Sequence, residues 1–346
     1  MNTEPADRND ASLVDEFFRV LSRYQCLDAF FGPALQVRRK SMDFLDNRLV
    51  QILLSESDCS RIEIPASVVR SQAPATFEGL RMRLTPKESD FNEKTLDAWS
   101  EILTARELIR IGYSNLHAIP SSTFDPPNPT PDFDAVKAGR KSYVETKHMR
   151  SPYSEEVFLE SRLGRFKIKH PEIGKKTYIY LDVLASSLPD RLTGVHTEKL
   201  DRLCSEIEGS LRRDHQGVRT WSVKFSDSTM LRVKLEWEPR RVGVSIRHSY
   251  KSTWSGKDKK AFIIERLDPI YQKARRIIFE GPATKQLLAP ADSAACEKML
   301  VLHWDRPEHC IPYPELVERF ESWVCEQEKE LRRQRDSDLW VIRALT

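Results

Sequence analysis

Residues 131–147, with the sequence PDFDAVKAGRKSYVETK, constrain the fold of this 346-residue chain more than any other segment. Two runs of strand-like composition flank Ala138-Gly139, a pair short enough to form a two-residue turn. If the two strands pair through that turn, Asp132 lies directly opposite Glu145. Directly opposite side chains of an antiparallel pair point to the same face, with Cβ atoms about 5 Å apart. The segment therefore predicts two carboxylates side by side on one sheet face.

Lys147 adds an amine to this pair, because it lies two residues beyond Glu145 and points to the same face. Two carboxylates held this close repel each other unless a cation lies between them. An all-oxygen pair suits a hard divalent cation such as Mg²⁺ or Mn²⁺. Such an ion polarises a phosphoryl group and acidifies a bound water, which a neighbouring amine can orient. The arrangement suits phosphodiester hydrolysis; the alternative interpretation is a surface hairpin with solvated charges.

The motif has two halves. Pro131-Asp132 opens the first strand, and the second strand closes with Glu145-Thr146-Lys147, the only E-x-K tripeptide in the sequence. In this respect the chain resembles the PD-(D/E)XK nucleases, the restriction-endonuclease-like superfamily. The resemblance implies an α/β fold, in which helices flank a restriction-endonuclease-like mixed sheet, and cleavage of nucleic acid, for which we expect DNA. It also implies Mg (or Mn) as the cofactor.

The resemblance assigns a role to each residue of the motif. Asp132 and Glu145 are expected to hold the metal, and Thr146 to add its main-chain carbonyl. Lys147 is expected to position the attacking water. The family often carries a further site glutamate on the helix before these strands. Residues 94–111 have a helical apolar stripe, so Glu101 is the expected residue, and Glu107 is the weaker candidate.

In the family, the two motif strands are followed by a helix that bears a basic or amide side chain. Another strand comes after that helix. Residues 262–280 and 298–304 fit these two elements, which makes Lys273 and Arg276 candidate nucleic-acid contacts. The pair departs from a K-x-x-Q pattern at its last position. The alternative helix and strand of the core are 154–166 and 177–184.

The remaining pattern predicts the domain organisation. We expect an N-terminal mainly helical module at 1–93 and a nuclease-like core in two pieces, 94–150 and 258–305. An α+β insertion at 151–257 lies between the two pieces. A C-terminal amphipathic helix is expected within 306–346. Expected elements of the N-terminal module are helices at 11–31, ended by Gly32-Pro33, and 35–55, and strands at 61–70 and 78–84. Expected elements of the insertion are a helix at 197–213 and strands at 177–184, 219–225, 230–237 and 242–248.

Charge is unevenly distributed along the chain. Residues 137–276 carry 31 basic and 18 acidic side chains, whereas the net charge of the whole chain is only +3. A basic segment that includes the motif favours nucleic acid as the partner. Six cysteines without a C-x-x-C pair, an acidic N-terminus and no long apolar run indicate a cytoplasmic protein with no membrane partner. The C-terminal helix is a candidate contact for a homo-oligomer, with packing on its own core as the default.

Two other functions remain open from the sequence. One is a protein that keeps the nuclease fold but binds nucleic acid, or assembles, without turnover. The other is an unrelated carboxylate enzyme, such as a glycosidase, whose acid pair happens to lie in this hairpin.

Overall fold

The computed structural model describes most of the chain. The described residues are 10–41, 44–53, 56–84, 91–120, 130–149, 178–183, 194–211, 218–224, 230–236, 243–246, 270–304 and 314–345. The expected helix at 154–166 and the first half of 262–280 lie outside these ranges. None of the described helices combines the length and the apolar character needed to cross a membrane.

The N-terminal segment is helical. Its elements are α1 (Asp10–Leu21), α2 (Gln25–Arg38), a 3₁₀ turn (Phe44–Asp46), α3 (Arg48–Leu53), α4 (Glu56–Gln72) and α5 (Pro74–Met82). The single helix expected at 35–55 is therefore wrong, because α2 ends at Arg38 and α3 begins at Arg48.

The strands expected at 61–70 and 78–84 are also wrong, since the first lies within α4 and the second is helical as far as Met82. The β-branched residues of 61–70 suggested a strand, but Ile62, Ala66 and Val69 are buried at helical spacing along one face of α4. Gly32-Pro33 does not end a helix either; it lies inside α2, between buried Phe31 and Ala34. Tertiary packing of the helix face outweighs the main-chain hydrogen bond that proline removes.

The segment that contains the motif folds as the sequence predicts. The long helix α6 (Phe91–Arg110) leads into β1 (Ser114–Ala118), β2 (Phe133–Lys137) and β3 (Arg140–Met149). Strands β2 and β3 pair antiparallel from Phe133↔Val144 to Lys137↔Arg140, the predicted register. Extending this register by one residue brings Asp132 opposite Glu145.

The turn between β2 and β3 is also as predicted. Ala138 and Gly139 both have positive φ angles, 49° and 78°. A two-residue hairpin turn of type I′ requires this conformation at both positions. Ala138 adopts it at a steric cost that glycine would avoid, so the pairing of the two strands holds it there.

The next part of the chain forms a separate four-stranded sheet. Its elements are β4 (Tyr178–Val183), α7 (Gly194–Leu211), β5 (Val218–Lys224), β6 (Met230–Glu236) and β7 (Gly243–Ile246). The strand order is β5-β6-β4-β7. The four strands and the helix expected in this region are therefore confirmed, and β4 does not pair with the sheet that carries the motif.

The last part of the chain returns to the first sheet. Its elements are a helix at 270–279 (α8), α9 (Pro282–Leu288), β8 (Glu297–Trp304), α10 (Pro314–Arg335) and β9 (Trp340–Leu345). The resulting mixed five-stranded sheet has the order β1-β2-β3-β8-β9. Strand β8 runs parallel to β3, so the segment expected at 298–304 is the neighbour of the motif strand. The sequence did not predict α9 or β9.

Helices cover both faces of this five-stranded sheet, which makes the fold α/β. On one face, Val144, Met299 and Val301 pack in a core shared with α1 to α6. On the other face, Tyr143 and Leu300 pack in a core shared with α8, α9 and α10. The C-terminal helix buries its apolar stripe in that second core, through Phe320, Val324 and Leu331. That stripe is therefore used within the chain.

Candidate metal and catalytic centre

Asp132 is fixed at the point where the chain enters β2. Its Oδ2 atom accepts a hydrogen bond from the backbone N–H of Thr146 at 2.7 Å. Its main-chain carbonyl accepts a hydrogen bond from the N–H of Ile119 at 2.9 Å. The N–H and C=O of a strand residue point to the same side of the strand, so the Thr146 carbonyl also faces Asp132.

Glu145 is fully buried in the middle of β3, with a relative exposure of 0%. Its carboxylate forms an ion pair with the ammonium of Lys147. Its Oε2 atom has no hydrogen-bond partner among the described residues. A buried carboxylate oxygen without a partner is costly, since desolvation is not repaid by a hydrogen bond. The interpretation of the hairpin as a solvated surface element is therefore wrong.

Glu101 joins the motif through an arginine that the sequence did not suggest. Arg83 follows α5, and its Nη1 atom lies 3.2 Å from Glu101 Oε2 and 3.3 Å from Asp132 Oδ1. Its Nη2 atom donates to the main-chain carbonyls of Ile119 and Asp132. One guanidinium therefore links α6, the end of β1 and the start of β2.

Burial dominates the electrostatics of the three carboxyl groups. It raises the pKa of Glu101 to about 8, with repulsion from Asp132 adding to the effect and Arg83 opposing it. Burial also raises the pKa of Glu145 well above its usual range, and the charge of Asp132 adds to it. The pKa of Asp132 is raised by burial too, against the opposing charges of Arg83 and Lys147. Burial therefore favours the protonated form of all three carboxyl groups.

Lys147 keeps its proton in this setting. Burial alone would favour the neutral amine, but the carboxylates of Glu145 and Asp132 outweigh it and raise the pKa of Lys147. Its side chain remains about a third exposed, at 29%. A charged ammonium therefore lies beside the buried carboxylates and is still accessible from solvent.

The donor set fits a hard divalent cation. Asp132, Glu145 and the Thr146 carbonyl would supply oxygen atoms, one of them the Glu145 Oε2 that has no hydrogen-bond partner in the described part of the chain. Mg²⁺ commonly binds through one or two carboxylates and keeps several waters. Within the described part of the chain, no group of three or more His, Cys, Asp or Glu side chains is arranged to hold a metal ion. The fit therefore rests on two carboxylates, the carbonyl and water.

The other site residues predicted from the sequence lie on two helices, α8 and α6. Lys273 is half-buried on α8, and Arg276 is exposed on the same helix. No described contact joins Arg276 to the carboxylates of the centre. Glu107 pairs with Arg110 one turn further along α6.

The structure also identifies two residues that the sequence analysis missed. Asp97 lies one turn before Glu101 on α6, and its charge raises the pKa of both Glu101 and Asp132. The four-residue spacing could have indicated it. Arg83 is not marked by any local pattern, because the residues it joins lie far away in the sequence.

Comparison of the chain with models of known protein families, with curated proteins and with solved structures finds no match. The residues of this centre are therefore what indicates a function for the chain.

Proposed function

We propose that this protein is a metal-dependent nuclease that hydrolyses phosphodiester bonds of nucleic acid, with DNA as the expected substrate. The observation that carries the proposal is the fully buried Glu145, whose Oε2 has no hydrogen-bond partner among the described residues, next to an anchored Asp132 and a charged Lys147. A carboxylate is kept in such a place at a cost in stability, which function explains.

The order of elements supports a restriction-endonuclease-like core. Helix α6 is followed by the three antiparallel strands β1 to β3, and then, after the second sheet, by α8 and the parallel strand β8. This is the order that the resemblance implies: a helix with Glu101, strands with Asp132 and Glu145, a second helix and a further strand.

Each residue of the centre has a defined role in the proposed reaction. Asp132, Glu145 and the Thr146 carbonyl would hold the cation, with Glu101 as a further ligand or as a contact to its waters. A bound Mg²⁺ or Mn²⁺ supplies charge that polarises the phosphoryl group and acidifies a water. Lys147 orients that water and stabilises the negative charge that develops on the phosphate oxygens.

The charge of the surrounding sequence supports a nucleic-acid partner. Residues 137–276 carry 31 basic and 18 acidic side chains and include β3. A strongly basic segment neutralises backbone phosphates and gives binding that weakens as salt rises. A cytoplasmic location, inferred from the free thiols, would give the protein access to such a substrate.

The test is a cleavage assay on mixed DNA and RNA substrates with Mg²⁺ or Mn²⁺. Lys147→Met should lower the rate by about 10²-fold or more, because the water loses its positioning group. Lys141→Met is the matched control, since Lys141 lies on the same strand but pairs with Asp292 on the surface. Asp132→Ala and Glu145→Gln should be inactive while still folded. Full activity of Lys147→Met would refute the assignment.

A second candidate is a protein that binds nucleic acid or assembles on it without cleavage. It is favoured by Arg83, which already places a cation between Glu101 and Asp132. This candidate predicts binding that is unchanged by EDTA and no cleavage with any divalent cation. Filter binding with and without EDTA, run beside the cleavage assay, separates the two candidates.

A further inference from the structure

Arg83 is held in its place mainly by the backbone. Its Nη2 atom donates to the carbonyl of Asp132 at 2.8 Å and to the carbonyl of Ile119. Neither carbonyl can move without disturbing the end of β1 or the start of β2. The guanidinium is therefore fixed relative to the sheet, whatever the nearby carboxylates do.

The contacts of Arg83 with the carboxylates are looser. Nη1 is shared between Glu101 Oε2 at 3.2 Å and Asp132 Oδ1 at 3.3 Å. A well-formed hydrogen bond between a positively charged nitrogen donor and a carboxylate is about 2.7–2.9 Å long. Arg83 therefore acts on these two groups through its charge more than through directed bonds.

We propose that Arg83 is an internal counter-ion of the centre. It keeps the carboxylates of Glu101 and Asp132 together when no divalent cation is bound, and it weakens the binding of that cation by competing for the same oxygens. The second half of this inference rests on the proposed function, whereas the first half concerns only the stability of the metal-free protein.

Two opposing effects decide how removal of Arg83 changes the affinity for the cation. Removing Arg83 removes a positive charge that contacts the proposed ligands, and repulsion between charges this close is large in a buried site. Removing it also loosens the carboxylates. However, Asp132 keeps its bond from the Thr146 N–H, and Glu101 stays fixed on α6. The loss of repulsion should therefore outweigh the loosening of the carboxylates. A variant without Arg83 should then bind the cation more tightly.

The experiment compares Arg83→Met with Arg81→Met, using the full chain. Arg81 lies two residues earlier on α5 and pairs only with the neighbouring surface residue Glu78 among the contacts described. Without metal, at a pH well above the Glu101 pKa of about 8, where this carboxyl is ionised, Arg83→Met should lower the unfolding temperature by about 3 °C or more, and Arg81→Met by less. In calorimetric titration with Mn²⁺, Arg83→Met should show a dissociation constant about tenfold lower than the unmodified chain, and Arg81→Met no change.

The double variant Arg83→Met/Glu101→Gln keeps the inference testable if Arg83→Met folds poorly. At that pH, removing the charge of Glu101 should restore part of the lost unfolding temperature, because the repulsion is gone while the two hydrogen bonds to backbone carbonyls stay lost. No such restoration would overturn the counter-ion role. Equal or weaker Mn²⁺ binding by Arg83→Met would overturn the competition. If neither the unmodified chain nor Arg83→Met binds Mn²⁺, the proposed function and the competition both fail, while restored stability would still support the counter-ion role.

Discussion

Glu101, Asp132 and Glu145 bring three carboxyl groups into a part of the protein that water barely reaches. Two protein cations, Arg83 and Lys147, accompany them. Replacing buried charged groups with well-packed neutral side chains is often neutral or stabilising, because the desolvation of buried charges can cost more than their pairing returns. The cluster is therefore better explained by the cation that we propose it binds than by its contribution to folding.

This cost predicts how the stability of the metal-free protein depends on pH. The pKa of Glu101 is about 8 in the folded chain against an ordinary value of 4.5. The folded state therefore holds the Glu101 proton more tightly than the unfolded chain does. The stabilisation that this gives is fully present below pH 4.5. Stability is then lost as the pH rises towards 8, at a rate approaching about 1.4 kcal/mol per pH unit from this group.

Glu101→Gln should flatten this part of the pH profile. Urea unfolding in EDTA at several pH values between 5 and 8 measures the slope for both proteins. Asp132 and Glu145 change stability in the same direction, so only the difference between the two profiles reports on Glu101. Identical slopes would contradict the burial effect assigned to this residue.

At the scale of elements, the start of α2 depends on a side chain from another helix. The side chain of Tyr24, the N-cap residue, does not cap the first turn of α2; its hydroxyl is hydrogen-bonded to Ser60. Instead, the carboxylate of Glu63 on α4 accepts hydrogen bonds from the N–H groups of Cys26 at 2.9 Å and Leu27 at 3.0 Å. A carboxylate at this position satisfies two unpaired donors and interacts favourably with the helix dipole.

Glu63→Ala should therefore destabilise the protein by about 1–2 kcal/mol, the usual cost of losing a helix cap. Glu78→Ala is the control, because Glu78 forms an exposed ion pair with Arg81. Pairs of that kind contribute about 0–1 kcal/mol. Chemical denaturation of both variants gives the two free energies, and equal losses would show that Glu63 does not cap α2.

Among the elements, some follow from local signals in the sequence and others do not. The β2–β3 hairpin and its carboxylate pair follow from local signals: a two-residue turn, two strand-like runs and a fixed register. The segment 61–70 is helical although its β-branched composition favours a strand, because burial of one helix face decides the outcome. Arg83 and β9 were missed because both depend on contacts between distant parts of the chain.

At the scale of the whole molecule, the five-stranded sheet ends in β9, an edge strand covered by helix α10. Glu328 Oε2 accepts a hydrogen bond from the N–H of Ile342 at 2.8 Å, and Arg332 Nε donates to the carbonyl of Trp340 at 2.7 Å. The two side chains also pair with each other. Backbone groups of an uncovered edge strand are a template for pairing with another chain. Helix α10 therefore closes this edge.

Glu328→Ala/Arg332→Ala should open the edge and increase self-association through β9. The apolar face of α10 stays packed against the second core, so the fold should survive with a loss of about 1–3 kcal/mol for the two partly buried hydrogen bonds. Sedimentation velocity over a range of concentrations measures the association. Glu326→Ala/Arg335→Ala, on exposed positions of the same helix, is the matched control and should behave like the unmodified chain. If the first variant associates no more than this control, the two side chains do not protect the edge.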